Sequence, residues 1–178
     1  AVMTSARQNL LKTLGPDAAD PFDIGAGAIV PVGAFAPGLV YDAGLFDYLA
    51  FSCDNNVQLV SDGSCAYLSG VLGYPTDGSD LNLASIGVAD LLAAQTVTRT
   101  VTSVSPDGTE FTASVDGLAG IDVVVTPSSF TLNNGESQTF TVEFTVNGAP
   151  GGEWVFGGLT WNNDSGQSRL RFFAIPEL

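Results

Sequence analysis

The chain has 178 residues, of which 45% are hydrophobic and 13% charged; this composition excludes a disordered tail and leaves room for one moderate core but not for two large domains. Its 19 acidic and 5 basic residues give a net charge of -14, which argues against nucleic-acid partners, and no apolar stretch is long enough to span a membrane. Because histidine is absent, no Ser-His-Asp or Cys-His nucleophile can be assembled within this chain, and no cofactor is predicted.

The first predicted element is a helix at the start of the chain. Its apolar residues recur at helical spacing: Val2, Met3, Ala6, Leu10, Leu11 and Leu14. No capping side chain precedes Ala1, so we expect the helix to begin outside the chain and the chain to be a processed or excised piece. The segment 22–40 that follows is strongly apolar but has neither a helical nor a strand period, so it needs a surface to pack against.

Two short helices are predicted next, over residues 45–52 and 67–72. The spacing between Cys53 and Cys65 is too long for a Cys-x-x-Cys metal or redox motif but suits a disulfide loop. We favour the disulfide, which implies an oxidising, extracytoplasmic compartment; two free buried thiols are the alternative. Nothing before Asp77 supplies an independent core, so residues 1 to 75 are predicted to complete a larger domain.

A polar, turn-rich stretch at 77–80 divides the chain into unlike halves, and we place a boundary there, with domains at 1–78 and 79–178. Downstream, β-branched and aromatic residues alternate with Thr or Ser, and turn residues recur about every ten positions. About a hundred residues with this pattern are typical of an immunoglobulin- or fibronectin-like sandwich. The predicted strands cover 85–88, 96–104, 110–115, 121–126, 137–146, 153–161 and 169–175.

Arg99 interrupts the apolar face of the predicted strand 96–104, because Val97 and Val101 point the same way. An arginine at this position can pair with a carboxylate, either at the edge of the sandwich or at the seam between the domains. It can also lie exposed on an edge strand with its charged end in water. Both interpretations stay open.

Several short motifs occur in the order and rough spacing of one known family. Four resemble the end of the catalytic domain of subtilisin-like serine proteases, in particular the plant type and its bacterial relatives: AVMTSA at 1–6, FDIGAG at 22–27, PGLVYD at 37–42 and DYLAFSC at 47–53. Four more resemble the fibronectin-III-like domain that follows it in that family: SDLNLASI at 79–86, TVTRTVTSV at 96–104, TPSSF at 126–130 and GLTW at 158–161. The sequence departs from the family at Ala28, where plant members carry His, and over 7–20, which is longer than expected.

The resemblance implies an incomplete α/β segment over 1–78 that completes a subtilisin-like catalytic domain, followed by a fibronectin-III-like antiparallel β-sandwich over 79–178. The parent would be a secreted serine endopeptidase that hydrolyses peptide bonds through an acyl-enzyme. Its triad lies upstream of Ala1, so no catalytic residue is carried onto this chain, and neither Ser5 nor Ser85 is the nucleophile. The implied partners are the upstream catalytic part, on the same precursor or on a separate chain, and the protein substrates of the parent. This chain would complete and stabilise the enzyme and be inactive alone.

Two other functions are compatible with the residues. A secreted β-sandwich would bind carbohydrate or protein through Trp154, Phe156 and Trp161 if these were exposed and coplanar rather than buried. A stand-alone acid–base enzyme would need paired carboxylates. The glutamates of the predicted strands instead fall on solvent faces or turns, which favours solubilising charge: Glu110, Glu136, Glu143 and Glu153. The oxygen-rich turns at 77–80 and 162–164 lack the spacing of an EF-hand loop, so no metal ion is predicted.

Overall fold

Two β-sheets pack face to face in the computed structural model of the chain, which describes residues 1–12, 15–54, 59–164 and 166–176. The strands are β1 (Leu39–Tyr41), β2 (Ser85–Leu91), β3 (Ala94–Ser103), β4 (Thr109–Gly117), β5 (Ile121–Thr126), β6 (Ser129–Leu132), β7 (Ser137–Val146), β8 (Val155–Asn163) and β9 (Gly166–Pro176). One sheet has the order β1-β3-β7-β5 and the other has the order β2-β9-β8-β4-β6. Neighbouring strands are antiparallel except β2 and β9, which run parallel.

The predicted strands are all present, which confirms a mainly β, antiparallel sandwich. Most of their bounds shift by a few residues, and β8 begins at Val155 because residues 151–153 form a turn and a bend. The prediction missed β1 and β6, which have 3 and 4 residues. Strands this short contain too little alternation for a period of two to be recognised.

The core lies between the two sheets and is built from the inward faces of the strands. In β7, Phe140, Val142 and Phe144 are each at most 1% exposed, and the residues between them are exposed or half-buried. Trp161 of β8 joins this core, with its ring centroid 4.6 Å from that of Phe130 and 5.1 Å from that of Phe140. The alternation follows from strand geometry, since successive side chains point to opposite faces of a sheet.

Strand β1 ties the first part of the chain to the sandwich. Leu39 is fully buried in the core and pairs with Ser103 at the start of the β1–β3 ladder. The hydroxyl of Ser168 donates to the carbonyl of Pro37, and the Leu39 amide donates to that hydroxyl at 3.0 Å. Gly38 has a φ of +78°, and a Cβ there would lie 3.0 Å from the Ser168 Oγ, so the turn requires glycine. The boundary at residue 78 stays a prediction, and the sandwich includes a strand from before it.

The helix expected at the start of the chain is wrong for the described residues 1–12. Residues 2–5 form a turn, and two antiparallel bridges follow, Arg7 with Ala28 and Leu11 with Ala18. The amides of Arg7 and Ala28 each donate to the other residue's carbonyl at 2.9 Å, so these groups bond across the segment instead of along a helix. Leu14, the last residue of the apolar pattern, lies outside the described residues.

The helices of the chain lie before the long strands. They are α1 (Pro21–Ile24), α2 (Pro31–Ala34), α3 (Leu45–Asp54) and α4 (Asp62–Gly70), with a 3₁₀ turn at Gly78–Asp80. The predicted helix 45–52 is confirmed as α3, whereas the second helix begins five residues before the predicted 67–72. Its start is set by Ser61, whose hydroxyl accepts from the amide of Ser64 at 3.3 Å.

A capping box begins α1, where Asp20 and Asp23 each accept from the other's backbone amide. Lys12 lies 3.2 Å from the Asp23 carboxylate and 3.8 Å from that of Asp20. The backbone amide of Asp20, followed by the Lys12 ammonium, lowers the pKa of Asp23 below its usual value. These contacts hold the exposed segment around α1 close to the bridged residues 7–12.

Candidate interaction surface

Helices α3 and α4 form a hairpin that is closed by a disulfide. The sulfurs of Cys53 and Cys65 are bonded, with 5.9 Å between the Cα atoms, as the spacing favoured. Few hydrophobic side chains of the hairpin are buried: Ala50 is fully buried in α3 and Leu68 is 4% exposed in α4. Because so few side chains are buried, the covalent link replaces part of the packing that would otherwise hold the two helices together.

Among the described residues, no helix is long and apolar enough to cross a bilayer.

Removing the disulfide should loosen the hairpin and leave the sandwich intact. In a Cys53→Ser/Cys65→Ser variant the loop is open, so the unfolded state of the hairpin gains conformational entropy worth about 3 kcal/mol. Because few side chains of the hairpin are buried, packing offsets little of this loss of stability. We expect amide exchange in α3 and α4 to accelerate by about 10- to 100-fold, while exchange in β3 and β7 changes less than about twofold. Hydrogen-exchange mass spectrometry measures both regions in one sample. Equal loss of protection in β3 and β7 would contradict the expectation that the hairpin loosens without the sandwich.

Exposed apolar side chains concentrate in the first 75 residues. Phe35 is 91% exposed, Val32 is 82% exposed, and Leu45 at the start of α3 is 70% exposed. Further large hydrophobic residues in this part are also exposed: Val2, Met3, Leu11, Phe22, Ile29, Phe46, Tyr48, Leu59, Tyr67, Val71 and Leu72. By contrast, the buried core cluster of the described residues takes only Leu39 from this part. An apolar surface of this extent is typical of a contact with another protein part.

The acidic residues that the sequence offered for catalysis lie on the surface. All four glutamates considered for acid–base chemistry are exposed, and the described residues contain no group of three or more His, Cys, Asp or Glu side chains that could hold a metal ion. Ser5 donates its hydroxyl to the carbonyl of Ala1 at 2.9 Å, and the carbonyl of Ser85 accepts from Arg99. The Ser5 hydroxyl therefore bonds to a backbone carbonyl and not to a base.

The aromatic residues considered for sugar binding are not all exposed. Trp161 is 1% exposed and belongs to the core. Trp154 and Phe156 instead contact Phe22 edge-on, with centroid distances of 5.0 and 5.4 Å and interplanar angles of 78° and 81°. Because Trp161 is buried, the three residues do not form the exposed platform that sugar binding requires. The contact with Phe22 was not predicted, because no local pattern links residues 132 positions apart.

Arg99 is buried, which neither interpretation of the sequence anticipated. The side chain is 2% exposed and donates to the carbonyls of Leu83 (3.1 Å), Thr98 (2.8 Å) and Ser85 (2.9 Å). Burial lowers the pKa of Arg99 to about 10, although the Tyr41 hydroxyl and the Asp80 carboxylate nearby oppose the change. The guanidinium therefore joins β3 to the chain entering β2, through backbone carbonyls rather than through a carboxylate pair.

Known proteins are similar to both parts of the chain. The family model described as fibronectin type-III domain matches residues 80–173. Subtilisin-like serine-protease S of Lotus japonicus is 40% identical over 182 residues, which cover 96% of this chain and 23% of that protein. Subtilisin-like protease SBT3.16 of Arabidopsis thaliana is 34% identical over 154 residues, with coverage of 84% and 20%. A FixG-related protein from Vibrio parahaemolyticus has a TM-score of 0.41 at 14% identity, over 48% of this chain and 80% of that one. The chain spans less than a quarter of the length of the two curated relatives.

Proposed function

Since the chain belongs to the fibronectin type-III domain family and is similar over most of its length to plant subtilisin-like proteases, we propose that it is the C-terminal part of a secreted subtilisin-like serine endopeptidase. Residues 1–78 complete the catalytic domain, and residues 79–178 form a sandwich that stabilises it. The whole enzyme hydrolyses peptide bonds of protein substrates, and the catalytic groups lie in its other part. The disulfide between Cys53 and Cys65 supports an extracellular location, because such bonds persist in oxidising compartments.

One observation carries this proposal: most of the exposed large hydrophobic residues lie in the part that is similar to the end of a catalytic domain. Burying one exposed side chain the size of Phe35 or Val32 stabilises a complex by about 1.5–3 kcal/mol. Several of them together supply enough energy to hold the catalytic part firmly against this chain. The sandwich has its own core and needs no such partner.

The β1 strand explains how the sandwich would stabilise the catalytic part. The Pro37–Leu39 turn is hydrogen-bonded to Ser168 of β9, and the side chain of Leu39 is buried in the sandwich core. Segments on both sides of this turn carry the exposed apolar residues, in α2 before it and in α3 after it. A sandwich attached in this way limits the motion of the surface that contacts the catalytic part.

Placing a charge on the apolar surface of the full-length protease should lower its stability more than its catalytic efficiency. We expect Phe35→Asp to reduce the secreted yield severalfold and the melting temperature by roughly 5 °C, because a carboxylate would be buried at the contact. The kcat/KM of the enzyme that is secreted should stay within about twofold. The matched control is Leu92→Asp, a residue that is 74% exposed on the β2–β3 turn of the sandwich and should tolerate the change.

Two results would contradict the proposal. Equal yield and melting temperature for the Phe35→Asp and Leu92→Asp enzymes would show that the apolar surface faces water. Labelling of the isolated chain by a fluorophosphonate, which reacts with activated serines, would show that the chain contains its own nucleophile. We expect no labelling.

A further inference from the structure

Two asparagines of the sandwich each precede a glycine in an exposed connection between strands. Asn134 and Gly135 lie between β6 and β7, whereas Asn147 and Gly148 follow β7. All four residues are exposed, and the space beside both glycines is open. In an Asn-Gly pair no side chain shields the glycine nitrogen, so this nitrogen can attack the asparagine side chain. In a folded protein the reaction then depends on whether the glycine amide is free.

The two glycine amides differ in their hydrogen bonding. The Gly135 amide donates to the carbonyl of Ser103 at 2.8 Å. The Gly148 amide donates to no acceptor among the residues that the structure describes. A hydrogen-bonded amide gives up its proton only after the bond opens, so its reactivity falls with the population of the open state. The Gly148 nitrogen is therefore the more reactive of the two.

The asparagine side chains also differ in what holds them. Nδ2 of Asn134 donates to the carbonyl of Ser105 at 3.0 Å, in a part-buried hydrogen bond. Nδ2 of Asn147 donates to the carboxylate of Asp122 at 2.9 Å, in an exposed one. Water replaces an exposed hydrogen bond at little cost. The Asn147 side chain is therefore freer to turn towards the Gly148 nitrogen.

We propose that Asn147 is a site of spontaneous deamidation in the folded chain. The Gly148 nitrogen attacks Cγ of Asn147 and forms a cyclic imide. The bond from Cγ to Nδ2 breaks, and the proton of the Gly148 amide reaches the departing group through water, so that ammonia leaves. One water molecule then opens the imide to aspartate or isoaspartate, without oxidation or reduction. This reaction is independent of the proposed protease function.

The product places a new carboxylate against an existing one. The Asn147 side chain faces Asp122 of β5, and a carboxylate in its place repels Asp122 instead of donating to it. The amides of Asn147 and Ala149 both donate to the carbonyl of Gly120, at 2.7 and 3.0 Å. These two bonds join the end of β7 to the turn before β5. Deamidation should therefore loosen this end of the sandwich.

Peptide mapping of the intact chain during incubation at mildly alkaline pH measures the rate at each asparagine. Cleavage after glutamate places Asn134 on peptide 111–136 and Asn147 on peptide 144–153, and deamidation raises the mass of either peptide. We expect Asn147 to react at least about fivefold faster than Asn134, the factor by which one typical hydrogen bond slows a group that must first open. In urea, which unfolds both turns, the two rates should agree within about twofold.

A pair of substitutions tests the consequence of the reaction. Asn147→Asp creates the aspartate product directly and should lower the melting temperature by about 2 °C at low ionic strength, because the new carboxylate repels Asp122. In the matched Asp122→Asn background, the same substitution should change the melting temperature by less than about 1 °C. Differential scanning calorimetry measures both changes.

Three outcomes would overturn the proposal. A folded-state rate ratio of Asn147 to Asn134 below about fivefold would show that the free Gly148 amide does not select the site. A folded-state rate at Asn147 below about a hundredth of its rate in urea would show that the native turn holds the nitrogen away from Cγ. An equal loss of melting temperature in both backgrounds would show that Asp122 does not feel the new charge.

Discussion

Replacing Arg99 with alanine should lower the free energy of unfolding by about 3–5 kcal/mol. The substitution removes the donors that the guanidinium supplies to the carbonyls of Leu83, Ser85 and Thr98, and each part-buried carbonyl that loses its partner costs about 1 kcal/mol or more. It also leaves a cavity where a side chain with 2% exposure had filled the core. Urea unfolding followed by tryptophan fluorescence measures the change.

Two further substitutions show which property of Arg99 matters. Arg99→Lys keeps the positive charge, but a single ammonium cannot replace the planar guanidinium across three carbonyls, so we expect roughly half of the alanine loss. Arg7→Ala is the control, because Arg7 is exposed and should change stability by less than about 0.5 kcal/mol. A loss for Arg99→Ala as small as that for Arg7→Ala would mean that water replaces the guanidinium.

Trp161→Ala is expected to cost about 3–5 kcal/mol, since it empties the centre of the core between Phe130 and Phe140. Trp154→Ala should cost less than about 1.5 kcal/mol, because its ring is 37% exposed and packs mainly at the surface. Chemical unfolding of the two variants under the same conditions compares these values. Similar losses would contradict the assignment of Trp161 to the core and of Trp154 to the surface.

The indole nitrogen of Trp161 refines this prediction. Both Nε1 of Trp161 and the hydroxyl of Tyr41 are buried, and neither forms a regular hydrogen bond within the described residues. Burial raises the pKa of Tyr41, against the opposing effects of Arg99 and the Trp161 indole. Trp161→Phe therefore keeps an aromatic ring and removes one poorly paired N–H, so we expect it to cost less than about 1.5 kcal/mol. A loss as large as that of Trp161→Ala would show that the N–H has a strong partner.

The longer strands were predictable because their cause is local. In Ser137–Val146 one face must be buried and the other solvated, so the alternation appears within ten consecutive residues. The turns between strands are likewise marked by Asn, Asp, Gly and Pro, whose backbone preferences do not depend on distant residues. The same local rule failed at the start of the chain, where residues 2–5 form a turn and Arg7 and Leu11 form bridges to Ala28 and Ala18.

The sequence alone therefore determined the class of fold, the lack of an imidazole base, the acidic surface and the favoured cysteine pair, because each follows from composition or from neighbouring residues. Only the tertiary structure decided that Leu39 pairs with Ser103 of β3, that Arg99 binds three backbone carbonyls, and that the rings of Phe22 and Trp154 are in contact. Each of these contacts joins residues whose proximity depends on how the two sheets and the N-terminal segment pack. Packing of this kind is set by the shape and hydrogen bonding of the whole fold, and no periodicity along the chain encodes it.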